Sequence, residues 1–135
     1  EGAVLAGHVR DRLNAIDALG QQLRLRTSGA PRRLAEKLRA RVEAAGVVVD
    51  AARFAQEAAL LADRVDVAEE LERLAAHVGL GRTLTSGRKL DFLCQELLRE
   101  ANTIGSKCQD ADAAHVVVEL KAEIERMREQ VQNVE

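Results

Sequence analysis

The sequence predicts an all-α fold, an antiparallel helical bundle of about five to six helices ending in a long C-terminal heptad helix. Three observations carry that prediction. Apolar residues recur at helical spacing through nearly the whole 135-residue chain, which places them on stripes of a 3.6-residue period. Phe54 and Phe92 are the only aromatic residues, so the core must be built from Leu, Val, Ala and Ile, which suits helix-on-helix packing. A hydrophobic content of 47% over this length supplies one ordinary core. Residues 1–135 are therefore expected to form a single helical domain.

The first helix is predicted over about 3–26, with Leu5, Val9, Leu13, Ile16 and Leu23 on one face. Thr27-Ser28-Gly29-Ala30-Pro31 ends it, because Gly and Pro cluster there. A second helix over about 31–45 carries Leu34, Leu38 and Val42, with Pro31 suited to its first turn. Gly46 and Val47-Val48-Val49 form a connector of no definite period. Asp50 is placed to cap a third helix through Phe54, Ala58 and Leu61. Asp66-Val67-Ala68-Glu69 has the spacing of a capping box and starts, or restarts, a helix to about residue 78. Gly79, Gly81 and Gly87 surround a short connection, in which Ser86 is placed to cap the helix 87–107. Asp110 or Asp112 caps the last helix, where Val117, Leu120, Ile124, Met127, Val131 and Val134 form an a/d seam. That seam fits other helices of the chain, another copy, or both.

The helix 87–107 has the least ordinary polar faces. Its apolar stripe is Leu90, Leu93, Leu97, Ala101 and Ile104. One flank carries Arg88, Asp91, Gln95, Arg99, Asn102 and Ser106, and the other Lys89, Glu96, Glu100, Thr103 and Lys107. Asn, Ser and Thr are poor helix-interior choices unless their side chains have partners. The helix is expected to present directional polar groups to a neighbouring subunit, a metal ion or a phosphate.

Composition excludes several classes. A net charge of −2 means the chain as a whole is not a polycation. Two aromatic residues argue against holding nucleic acid chiefly by base stacking on aromatic platforms. Cys94 and Cys108 lack CxxC spacing and indicate neither a disulfide framework nor a zinc site. Without an apolar run long enough for a membrane span or a signal peptide, the protein is expected to be cytoplasmic. Opening on Glu1-Gly2-Ala3 without Met, it is expected to be one domain of a longer protein.

Charge is nevertheless segregated. Residues 24–41 carry a net +6, including Arg32 and Arg33, and residues 50–73 a net −4. This is either a phosphate-binding surface beside a carboxylate cluster or two solvated faces that attract one another. Asp66, Glu70, Arg73 and His77 share one helix face. With Glu96 and Glu100 from the next helix they offer oxygen and imidazole donors suited to Mn²⁺ or Mg²⁺. The same residues serve equally as helix caps and ion pairs. Arg88, Lys89 and Arg99 are candidates for phosphate contact, or for pairing with nearby acids. His8 and His115 stand alone.

Residues Leu60 to Leu71, with Arg73-Leu74 and His77, then GRKLDFLCQELLREANTIGSK and the ending VVVELKAEIERMREQVQNVE, resemble the C-terminal domain of the YicC-like endoribonuclease family. The resemblance implies a bacterial, stress-linked, two-domain protein that assembles into a homo-oligomer, up to a hexamer. It implies cleavage of RNA with the help of Mn²⁺ or Mg²⁺. On the chemistry of the residues, the metal set would come from Asp66, Glu69, Glu70 and Glu96. The catalytic groups would be His77, Glu70 and Glu100. RNA would lie along Arg73, Arg88, Lys89, Arg99, Lys107, Arg32 and Arg33. The alternative is a non-catalytic oligomerisation and RNA-binding module, or an adaptor of RNA decay. The connection from His77 to Gly87 is shorter than is usual in the family, which should tighten the hairpin of the two helices or shift their register.

Overall fold

A computed structural model describes residues 2–133. Six α-helices follow in order: α1 (Gly2–Thr27), α2 (Ala30–Ala45), α3 (Ala51–Val65), α4 (Ala68–Gly81), α5 (Gly87–Lys107) and α6 (Ala111–Gln132). Four of them close a ring in which α1 packs on α6 and α4, and α5 packs on α4 and α6. Neighbours run antiparallel, as cross-helix pairs at both ends show. Arg12 meets Glu123 and Arg26 meets Asp112 between α1 and α6. Lys107 meets Glu70 and Glu100 meets His77 between α5 and α4. The second pair of helices, α2 and α3, pack on each other as a hairpin inserted into this up-down-up-down bundle.

The core is the set of stripes the sequence defines. Leu13, Ile16 and Leu23 of α1 join Leu71, Leu74 and Val78 of α4 in one buried cluster. Leu90, Leu93, Leu97, Ala101 and Ile104 of α5 close against Leu120, Ile124, Met127 and Val131 of α6. Thus the C-terminal seam is taken up within the chain from Val117 to Val131; Val134 lies outside the described residues. Cys94 is fully buried. Burial pushes its thiol up to about 12, and Asp91 acts in the same direction. Cys108 is half-buried, and burial and then Asp110 raise its thiol too.

The hairpin is built differently. Helix α2 buries no residue, and α3 buries only Val65 at its end. Leu34, Leu38, Val42, Phe54, Ala58 and Leu61 are only half-buried, and Val47, Val48 and Val49 stand exposed in the connection. Both ends of α2 are marked by glycines in the left-handed region, Gly29 at φ 78° and Gly46 at φ 65°, where a side chain is strained.

The caps refine the boundaries. Asp50 accepts from the Ala52 N–H, and Asp110 rather than Asp112 caps α6, accepting from the Asp112 and Ala113 N–H groups. At α4 the expected capping box does not form: Val67 takes the N-cap position without a side-chain cap bond, Asp66 Oδ1 accepts from the Ala68 N–H two residues on, and Glu69 turns to Arg73. Ser86 stands at the N-cap of α5 without a side-chain cap bond. Helix α4 also runs through Gly79 to Gly81, past the end predicted from those glycines. Gly81 is a close-approach residue: a Cβ there would lie 2.7 Å from Leu93 Cδ2 and 3.0 Å from Leu13 Cδ2. The missing side chain gives Leu13 of α1 and Leu93 of α5 that space.

Four outcomes follow from this packing. Gly81→Val should lower unfolding free energy by about 1–3 kcal/mol through overpacking, measured by urea denaturation, with Val48→Ala within about 0.5 kcal/mol of the parent. Amides of α2 and α3 should exchange with deuterium faster than those of α5 and α6, because the hairpin buries almost nothing. Iodoacetamide should leave Cys94 unlabelled in the folded chain and label it in urea. Since the unfolded chain ionises this thiol at its ordinary value of 9.0 and the folded chain does not, stability should fall as pH rises above that value.

Candidate functional site

The polar flanks of α5 separate toward its two neighbours. On the α6 side Asp91 meets Arg128 at 3.4 Å and the Gln132 side chain at 3.0 Å. On the α4 side, Glu100 and Lys107 face a matching row on α4. Lys107 Nζ lies 2.9 Å from Glu70 Oε2 and also donates to the Asp66 carbonyl. One heptad further, His77 Nδ1 lies 3.0 Å from Glu100 Oε2, and Arg73 Nε lies 3.7 Å from Glu100 Oε1. Seven residues separate Glu70 from His77 and Lys107 from Glu100, so both contacts belong to one antiparallel register.

Both carboxylates are nearly removed from water, Glu70 at 4% exposure and Glu100 at 5%. Buried charge is tolerated only when compensated and hydrogen-bonded, and each carboxylate has that compensation from the other helix or its own row. His77 is more open, its side chain 26% exposed. Because a carboxylate only accepts, the ring carries a hydrogen on Nδ1 toward Glu100; in the neutral ring Nε2 is then the acceptor.

Beyond His77 the α4–α5 seam widens into a groove of about 450 Å³. His77, Leu80 and Leu84 line one side, and Arg88, Lys89, Phe92, Leu93 and Glu96 the other. Phe92 is 64% exposed. Arg88, Lys89 and Glu96 have no ion-pair partner among the described residues.

The candidates are thus divided. The structure joins His77, Glu100 and Arg73, and separately Glu70 and Lys107. Glu69 is an exposed partner of Arg73. Asp66 is exposed at the end of α3. Arg32 pairs with Glu36, and Arg33 donates to the Ser28 carbonyl. Both lie beyond the α4 N-terminus, roughly 15 Å of helix from His77. Arg99 projects to solvent. Among the described residues no three His, Cys, Asp or Glu side chains converge as a metal ion requires. The two buried carboxylates are already compensated by Lys107, Arg73 and His77. Among the described residues, therefore, the expected set of Asp66, Glu69, Glu70 and Glu96 is not gathered around one point where Mn²⁺ or Mg²⁺ would sit.

The hydroxyls of α5 are an unexpected outcome. Thr103 Oγ1 donates to the Arg99 carbonyl and Ser106 Oγ to the Thr103 carbonyl, so both are satisfied within their own helix rather than by a partner. Sequence reasoning passed over Phe92 as a groove residue. Its position three residues after Lys89 and four before Glu96 was the available signal.

Fold and groove together define a helical-bundle domain whose polar seam carries an imidazole–carboxylate pair. The family model described as endoribonuclease YicC-like, C-terminal, matches residues 23–135, and the chain belongs to the YicC-like endoribonuclease family. It is 44% identical over 140 residues to a probable endoribonuclease YicC of Haemophilus influenzae, covering 100% of this chain and 49% of that protein. It is 47% identical over 93 residues to a probable endoribonuclease YicC of Clostridioides difficile, covering 65% of this chain and 32% of that protein. The chain spans about half the length, or less, of these curated relatives.

The ion pair at the seam yields one thermodynamic outcome. Lys107→Met strands Glu70 and should cost about 2 kcal/mol. The double change Glu70→Met with Lys107→Met should recover most of that loss in urea denaturation, because no buried charge remains. Equal losses in the single and double variants would show that the pair does not compensate Glu70.

Proposed function

We propose that this domain contributes the proton-transfer part of an RNA-cleaving site, with His77 as the acid–base group. The observation that carries the reading is the 3.0 Å contact of His77 Nδ1 with buried Glu100, at the mouth of a groove open to solvent. Glu100 orients the ring and stabilises the imidazolium that forms when Nε2 takes a proton. Arg73 balances Glu100 from its other oxygen and stands beside the place where phosphate charge develops. RNA chemistry gives such a base a ready task. Removal of the 2′-hydroxyl proton by Nε2 lets that oxygen attack the adjacent phosphorus, and the 5′-oxygen departs with a proton from water. Glu70 and Lys107 act as positioning residues that hold α4 and α5 in register. Arg88 and Lys89 meet the flanking phosphates.

Membership of an endoribonuclease family supports RNA as the substrate, as does the unpaired basic pair on the groove. No helix among the described residues is long and apolar enough to cross a membrane. The exposed apolar tip of the hairpin supports assembly into a homo-oligomer, for which light scattering is the measurement. The compensated state of Glu70 and Glu100 favours a second reading, a purely structural network in an RNA-binding module.

Cleavage of a structured RNA separates the two. His77→Ala should lower the rate by about 10²–10⁴ with the helical circular dichroism unchanged. Glu100→Gln should lower it less, and the products should carry 2′,3′-cyclic phosphate ends. Parental rates in both variants would remove His77 and Glu100 from the reaction. Repeating the assay in EDTA and with added Mn²⁺ tests the cation requirement directly, since a rate that vanishes in EDTA assigns the step to ligands outside this seam.

A further inference from the structure

The groove beyond His77 has an architecture that proton transfer leaves unused. Its lining is largely apolar, with Leu80 and Leu84 on the α4 side and Leu93 on the α5 side. The chain has two aromatic residues, and it leaves one of them, Phe92, open on this wall rather than in the core. An exposed ring beside aliphatic side chains suits a nucleobase, which is flat and apolar on its faces and polar at its edges. Its volume of about 450 Å³ lies within the roughly 300–1,000 Å³ of small-ligand sites.

The polar groups around that slot are asymmetric. Arg88 and Lys89 stand at one end without acidic partners, complementary to phosphate. Glu96 stands half-buried on the same helix as Phe92, one turn on, with neither a hydrogen bond nor an ion pair among the described residues. A half-buried carboxylate with two free acceptor oxygens calls for an occupant carrying adjacent donors. Among the bases guanine presents N1–H and N2–H side by side on its Watson–Crick edge. Uracil presents a single N3–H flanked by two carbonyls, which would repel the second oxygen of Glu96.

Resting on the reading of His77 as the acid–base group, we infer that the groove is a base-specificity subsite that seats a guanine next to the scissile phosphate. Phe92 stacks on the base, Glu96 accepts from N1–H and N2–H, and Arg88 and Lys89 hold the flanking phosphate. The subsite selects where the RNA is cut; the imidazole carries out the proton transfer.

Nucleotide binding tests this without any cleavage. The chain is titrated with GMP, AMP, CMP and UMP while the methyl signals of Leu80, Leu84 and Leu93 are followed by NMR. GMP should bind about tenfold more tightly than UMP and shift those methyls. Phe92→Ala should weaken all four nucleotides by about tenfold, and Glu96→Gln should erase the preference for GMP. Both side chains are at least partly exposed, so the variants should retain the parental fold, checked by circular dichroism. Equal binding of the four nucleotides, shifts confined to methyls elsewhere, or GMP binding unaffected by Phe92→Ala would each overturn the subsite. Cleavage without GMP binding would remove the subsite and leave the acid–base reading standing, whereas GMP binding without cleavage would do the reverse.

Discussion

Glu70 and Glu100 are carboxylates that the fold takes out of water, and the arrangement of α4 against α5 depends on compensating them. An apolar stripe tolerates some sliding, since a leucine that loses one leucine gains another. A buried carboxylate does not, because an uncompensated charge in the seam costs several kcal/mol. Lys107 reaches Glu70 and His77 reaches Glu100 in one register, seven residues apart on both helices. A slip of one turn strands both acids together. The register then decides which residues face one another beyond His77, and so creates the groove where Leu80 and Leu84 meet Phe92 and Glu96.

The rest of the bundle supports that seam with aliphatic packing. Small and branched side chains let the helices approach closely, and Gly81 takes this furthest by admitting Leu93 and Leu13 where a Cβ would stand. The hairpin of α2 and α3 contributes little to this core. Its basic residues remain in solvent, with Arg32 engaged only within its own helix. The opposite charge of the 50–73 segment is not drawn into ion pairs between α2 and α3 among the described residues. Segregated charge along the sequence here means exposed faces, whose mutual attraction water largely screens.

The division of labour along α4 and α5 is graded. Near the start of α4, Lys107 closes over Glu70 and leaves little room for chemistry. Toward its end, His77 keeps access to solvent while Glu100 behind it does not. An imidazole held on one nitrogen and open at the other is suited to accepting and returning a proton. Among the described residues Glu69 and Asp66 lie exposed, away from the buried pair, which Lys107 and Arg73 engage.

Much of this was legible in the sequence for a simple reason: periodicity reports which face of a helix is apolar. The stripes of α1, α5 and α6, Asp50 as a cap and Pro31 in the first turn of α2 all follow from local spacing. The two flanks of α5 were also separable, since side chains three and four apart share a face. Spacing does not say which helix each flank meets. Only the tertiary structure decided that Asp91 turns to α6, that Glu100 meets His77 and Arg73, and that Glu96 is left without a partner. It also decided that Thr103 and Ser106 bond within their own helix, and that Gly79 and Gly81 extend α4 instead of ending it. The sequence by itself determined the helices and their apolar faces, because those are properties of a segment and its own period. Compensation of buried charge, and the groove that its register opens, are properties of two segments at once, and they exist only after the helices have packed.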